Sequence, residues 1–333
     1  MRMRNMMDSN LLYLTQTDVK AVNLSMAEII EAVEKGFYEL GEARVEMPPK
    51  PGIHPGEGGA NFIHAMPAYI PAMNVAGMKW VSGYPGNMQK GLPYITGLLL
   101  LNDPETGIPI SVMDCTWITG MRTAAASAVS AKYLARPDSE TIGILACGVQ
   151  GMTNLEAMNV LFPLKKVKAY DRSPEQAAKL VDYARNTLGL EAEIVAEPKQ
   201  AVTGCDIIVT SGPILKTPHA TIKGGWMDEG AFASLVDFDS FWSREALAEA
   251  DLWTTDHLGQ YDYYKDVNGY FQNCPRVDAE LGALVTGKAK GRTNDAQKTF
   301  AANLGIAIDD MAVAPLIMQR ARDKGIGTEL SLY

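Results

Sequence analysis

A chain of 333 residues is long for a single hydrophobic core, so two domains are expected. With 47% hydrophobic and 21% charged residues, and 30 Gly and 18 Pro spread along the chain, long disordered or collagen-like tracts are excluded. A formal net charge of -9 argues against broad contact with nucleic-acid phosphates or anionic membranes, and no apolar run reaches the length of a membrane span.

In chain order, Ser25-Met26-Ala27-Glu28 has the form of a capping box, and Ile29, Ile30, Val33, Phe37 and Leu40 recur at helical spacing up to Gly41. A Pro/Gly-rich stretch runs from Met47 to Gly59. Four apolar runs follow, at 61–66, 75–82, 95–101 and 108–114, and the turn residues Asn102 to Gly107 predict antiparallel hairpins. The Ala-rich segment from Thr119 predicts a tightly packed helix that stops before Pro137, with Arg122 in its first turn. A cation there is disfavoured by the helix dipole unless an anion lies close by, so an anion is expected. From 141 onward strands and helices alternate: strands at 141–146, 167–170, 193–196, 206–210, 232–236 and 252–255, and helices at 150–161 and 174–186. This pattern predicts a parallel, doubly wound sheet. A last helix, 309–324, is long enough to return to the first domain and make it discontinuous.

The four cysteines form no CxxC pair and the four histidines no HExxH spacing, so neither a disulfide framework nor a metal is expected. The start, MRMRNMMDSN, lacks the apolar core of a secretory signal, and the cytoplasm is the expected location.

The segment TIGILACGVQGMTNLEA places a tight turn between an apolar strand and a helix, whose free N–H groups can accept a pyrophosphate. The glycine fingerprint is imperfect, with Ala146 at the first position and Gly148 and Gly151 at the others. Asp171 falls at the end of the next strand, where a carboxylate bonds adenosine ribose hydroxyls and repels a 2′-phosphate. NAD is therefore expected over NADP, although Arg172 and Ser173 offer a way to hold the extra phosphate. Taken alone, a strand-turn-helix with glycines also arises for packing, and Asp171 could be a solvated turn residue.

The segments GMKWVSGYPGN (77–87), LNDPETGIPISVMD, ITGMRTAAASA, the GVQ turn at Gly148 to Gln150 and FAANLGIAIDDMAVA resemble the ornithine cyclodeaminase/mu-crystallin family over most of the chain. The resemblance implies an α/β fold: a Rossmann domain at 121–303, and a discontinuous α+β substrate-binding and dimerisation domain made of 1–120 with 304–333. It implies a homodimer, and an NAD-dependent oxidoreductase acting on the carbon–nitrogen bond of a small amino or imino acid. The carboxylate-binding cations fall on Arg44, Lys79 and Arg122. By local sequence alone Arg44 reads as a surface residue and Lys79 as a strand lysine that either snorkels or serves a site.

The resemblance assigns NAD to Thr123, Gly148, Val149, Gln150, Asp171, Arg172, Ser173, Thr210 and Ser211, with the nicotinamide pointing into an interdomain cleft. Lys79 and Asp239 take the catalytic roles, Asp239 exchanging a proton with the substrate nitrogen. Asp237 is the reserve for Asp239, because the family's Pro-Gly-Lys after the aspartate is replaced by Ser240-Phe241-Trp242-Ser243. Two alternatives stay open: an ornithine cyclodeaminase, in which NAD is recycled within a turnover, and a non-enzymatic binding protein. His64 weighs against the first, since it stands three residues before Pro67 where ornithine-cyclising members carry Glu. An imidazole is a poor partner for a second amino group and could face an extra carboxylate instead.

Overall fold

The computed structural model describes residues 10–56 and 61–332. The chain opens with β1 (Asn10–Leu14), α1 (Gln16–Ala21), α2 (Met26–Gly41), β2 (Gly52–Ile53), β3 (Phe62–Ile70), β4 (Val75–Gly83), β5 (Ile95–Asn102), β6 (Pro109–Asp114) and α3 (Thr116–Leu134). It continues through β7 (Thr141–Leu145), α4 (Val149–Leu161), β8 (Lys166–Tyr170), α5 (Pro174–Asn186), β9 (Glu191–Ile194), β10 (Ile207–Thr210), β11 (Phe232–Leu235) and α6 (Arg244–Leu247). The last elements are β12 (Leu252–Thr255), α7 (Leu258–Asp266), β13 (Ala279–Glu280), α8 (Leu281–Val285), β14 (Thr299–Ala301), α9 (Ala307–Lys324) and β15 (Thr328–Ser331). Two compact units result: the residues up to Arg122 with those from Ile306 onward, and Thr123–Gly305.

The first unit carries a seven-stranded sheet in the order β15-β1-β6-β5-β4-β3-β2. From β2 to β6 the pairing is antiparallel, while β1 lies parallel to β6. In the pair of β3 and β4, Met66 stands opposite Lys79 and Ala65 opposite Trp80, so successive residues of each strand face opposite sides. One side is covered by α9, which packs on β3, β4 and β5 and also against α2. The Ser25 capping box is present, with the Ser25 N–H donating to Glu28 at 2.9 Å, and Ile29, Ile30, Val33 and Phe37 form the buried stripe of α2. Each such side chain contributes about 1.5–3 kcal/mol by burial. Gly36 of α2 faces Ala312 of α9, where an added Cβ would make an ordinary contact at 3.4 Å.

The second unit is built on eight parallel strands in the order β13-β12-β14-β11-β10-β7-β8-β9. The order runs one way from β7 through β8 to β9 and the other way from β7 through β10 to β11. The carboxyl end of β7 is therefore the switch point, where doubly wound folds bind their ligands.

Several expectations shift. The Ala-rich helix begins at Thr116, not Thr119, so Arg122 stands in its second turn, beyond the strong end of the dipole. β9 starts two residues early, because its register is set by β8, with Glu191 opposite Lys166. β14 was not anticipated: it is three residues long, too short to show any period, yet it fills the place between β11 and β12.

Candidate active site

Lys79 lies at the middle of β4 on the α9 side of the sheet, with its side chain wholly buried. Its Nζ is 2.8 Å from Asp310 Oδ1 and 2.7 Å from Oδ2, with the Thr119 hydroxyl at 3.5 Å. Arg122 approaches the same group from α3: Nη1 is 3.2 Å from Asp309 Oδ2 and Nε is 3.3 Å from Asp310 Oδ1. Two cations and two carboxylates thus share a nearly water-free pocket. The anion expected beside Arg122 is present, although the reason differs, because the two aspartates come from the first turn of α9. There the helix's free N–H ends favour negative charge. Burial and the Arg122 charge push the Lys79 ammonium towards its neutral form, while Asp310 opposes both.

His64 lies on the same side of the sheet in β3, paired with Val81, two residue pairs along from the Met66–Lys79 pair. It stacks on Phe62 at 4.4 Å between centroids and meets His54 edge-on. Burial, helped by Lys50, His54 and Lys79, depresses its pKa to about 3, so the imidazole is neutral at physiological pH. Arg44 is not brought to the Lys79 pocket. Ala43 takes a left-handed conformation after α2, and Arg44 turns back to clasp Glu39, with Nε 2.7 Å from Oε2, over the Tyr38 ring. Half of its side chain is exposed.

In the second unit, Gly148 caps α4 without any side-chain partner, and no atom lies within 4 Å of where a Cβ would project. Ala146, at the first glycine position of the fingerprint, adopts φ +74°, the left-handed region that a glycine takes freely. Gly151 is needed for close approach, since a Cβ there would lie 2.4 Å from the Ala146 carbonyl oxygen. The Asp171 carboxylate accepts from the Cys147 N–H at 2.6 Å and from the Ser173 N–H at 2.7 Å, one per oxygen. Each oxygen keeps a second lone pair for a hydroxyl. Gln150 Oε1 is buried with no hydrogen-bond partner among the described residues, and Val149 is 70% exposed. Ser173 caps α5 through Gln176, and the Ser211 hydroxyl donates to the Ala146 carbonyl at 2.8 Å. An uncapped helix start, an open glycine, an orphaned amide oxygen and a carboxylate across the turn fit a dinucleotide. Thr123 begins the second unit within α3, and Arg172 directly follows Asp171.

Beyond β11 the two aspartates have separate surroundings, because Phe238 between them sits at φ +62°. Asp237 is wholly buried and accepts from the Thr210 hydroxyl at 2.6 Å and the Gly212 N–H at 3.3 Å. The Trp242 ring N–H donates to the same Thr210 oxygen at 3.2 Å. Desolvation raises the Asp237 pKa to about 7 despite these bonds, with Asp239 adding to the effect. Asp239 is also raised by burial, against hydrogen bonds with the Phe271 backbone and the Cys274 side chain. Its Oδ1 has no partner among the described residues. Asp237 is thus occupied in holding the end of β10, while Asp239 presents a free oxygen.

The Ornithine cyclodeaminase/mu-crystallin family model matches residues 10–325. The chain belongs to this family. Within the family, it is 36% identical to the alanine dehydrogenase of Archaeoglobus fulgidus over 97% of this chain and 98% of that one. The solved Δ1-pyrroline-2-carboxylate reductase of Thermococcus litoralis, in complex with NADH and L-proline, is similar with a TM-score of 0.86 and 33% identity, covering 96% of this chain and 100% of that one. An archaeal alanine dehydrogenase dimer with bound NAD gives the same score and identity over 97% and 100%. The Rossmann-like fold with a second domain, expected from the family's motifs, is therefore that of this chain. The acidic pair Asp309-Asp310 was not singled out from the sequence. At a helix start two acids look like ordinary dipole partners, and only the fold brings them to Lys79 and Arg122.

Proposed function

We propose that this ornithine cyclodeaminase/mu-crystallin family member is an NAD-dependent oxidoreductase that interconverts a small α-amino acid and the corresponding α-imino acid. The observation that carries the reading is full-length similarity, at 33% identity or more, to a dehydrogenase and a reductase solved with NAD or NADH. The second unit supports it with a turn suited to the pyrophosphate, at Gly148 to Gln150, and a ribose-facing carboxylate, Asp171, that selects NAD over NADP. When bound, NAD takes or gives the hydride at the α-carbon. The first unit supports it with Lys79 and Arg122, which bind the α-carboxylate; a guanidinium can do so bidentately. Fixing the carboxylate orients the α-carbon, and this positioning is the larger part of the work left to the protein. Asp239 holds the proton that the substrate nitrogen gains on reduction and takes it back on oxidation. Arg44 must release Glu39 to join the clamp, so Arg44→Ala costs less in KM than Lys79→Ala. His64, neutral and beside Lys79, lines the space for the substrate side chain and disfavours a second amino group there.

The chain works as a homodimer in the cytoplasm. The side of the first unit's sheet opposite α9 carries Trp80 and Leu98, each nearly half exposed, with Tyr69 farther along the same side, an apolar face that a second copy would cover. Its four cysteines are unpaired, in keeping with a reducing compartment.

The test is a screen of NADH oxidation with preformed cyclic α-imino acids and with α-keto acids plus ammonia, beside ornithine with catalytic NAD. Stoichiometric NADH loss with an imino acid is expected, at a higher kcat/KM than with NADPH. Rapid proline formation from ornithine, with no net change in NADH, would sink the oxidoreductase reading in favour of a cyclodeaminase.

A further inference from the structure

We propose that Asp310 is a positioning residue for substrate capture: from the first turn of α9 it clamps the Lys79 ammonium and the Arg122 guanidinium together, ready for an α-carboxylate. The claim deepens the oxidoreductase reading and rests on it for the identity of the ligand; the clamp itself is read from the distances.

Asp310 reaches both cations, with Lys79 Nζ at 2.7 Å and Arg122 Nε at 3.3 Å. Asp309 meets Arg122 and has a second task, since its Oδ2 also accepts from the Ile306 N–H at 3.2 Å and so caps the helix. The labour is divided: Asp309 fixes the start of α9, and Asp310 holds the ammonium. Lys79 is wholly buried, so no solvent shell supports its charge. The charged and titratable groups that face it come from every element around it: Arg122 from α3, Asp310 from α9, Cys115 from the turn before α3, and His64 from β3. Of these, Arg122 works against the ammonium, and the Cys115 thiol, pushed up to about 11, is uncharged. His64 is neutral. Asp310 is then the group on which the Lys79 charge depends. A neutral amine would leave Arg122 alone to hold a substrate carboxylate.

The experiment uses the full-length protein labelled with 13Cε-lysine, the Lys79 signal being assigned by its loss in Lys79→Met. In the native protein Lys79 should stay charged from pH 6 to 9. In Asp310→Asn its titration should move down by about one unit or more, a tenfold change in the ratio of charged to neutral form per unit. The alkaline limb of kcat/KM for imino-acid reduction should move with it, mostly through KM, and Asp310→Glu should restore part of both. A native Lys79 that is neutral at pH 7, or a titration unmoved in Asp310→Asn, overturns the proposal. The native titration decides even if Asp310→Asn does not fold. If no imino acid is reduced at all, the functional reading falls while the NMR titration still judges the clamp.

Discussion

Asp237 and Asp239 differ in their partners because a single left-handed residue, Phe238, turns them apart. Asp239→Asn should therefore lower kcat by about 10²-fold or more, the size of a lost acid–base catalyst, and Asp237→Asn should act chiefly on stability. The sign of the stability effect follows from the raised pKa of Asp237, about 7 in the fold. Between the ordinary carboxyl value near 4 and that point, the folded protein keeps a proton that the unfolded chain releases. The contribution of this group is therefore full below pH ~4 and falls as pH rises towards 7. His64, depressed to about 3, has the opposite slope over pH ~3–6.5, so the native curve alone cannot separate the two. The difference between Asp237→Asn and the native protein can: urea midpoints should show the variant gaining relative stability from pH 5 to pH 8. A variant whose stability relative to the native protein stays constant or falls over that range would contradict the buried, protonated Asp237. At this scale the motifs single out Lys79, Arg122, Asp171 and Asp239 as candidates, and the structure brings Lys79 and Arg122 into one buried cluster. Asp310 was not legible, since its meaning lies in a contact 231 positions away, and neither was the Glu39 clasp on Arg44, which follows from the turn at Ala43.

The turn between β7 and α4 shows how an element absorbs an irregular residue. Ala146 holds a left-handed φ of +74° at a position where the fingerprint has glycine, and such a conformation costs an L-residue roughly 1–2 kcal/mol. The strain is partly offset because Ala gives up less backbone freedom on folding than Gly, by about 0.5–1 kcal/mol. Ala146→Gly should thus raise stability by up to about 1 kcal/mol, read from thermal melting. Gly151→Ala should do the reverse. Its Cβ would lie 2.4 Å from the Ala146 oxygen, which forces α4 off β7, at a cost of about 1–3 kcal/mol, and weakens NADH binding by fluorescence titration. Equal NADH affinity in Gly151→Ala and native protein would remove α4 from the cofactor site. Long or strongly patterned elements such as α2, β4 and α5 were readable within a residue or two. β14 and β13, of three and two residues, were not, because the sheet and not their own sequence defines them.

For the whole molecule, the open apolar side of the first sheet makes self-association testable. Leu98→Glu places a charge beside Trp80, its partner in the register of β4 and β5, while leaving the α9 side untouched. Sedimentation should show the native chain as a dimer and Leu98→Glu as a monomer; an unchanged dimer would move the interface elsewhere. The order of the chain has a consequence in time as well as in space. Arg122 and Lys79 lie 187 and 231 residues ahead of the aspartates that neutralise them. At translation speeds of 5–20 residues per second, roughly 10–45 s separate their emergence from that of α9. The second unit, contiguous from Thr123 to Gly305, is complete before then. A nascent chain should consequently protect its second unit from protease first, while the first sheet waits, its two cations still in water, for the last helix to be made.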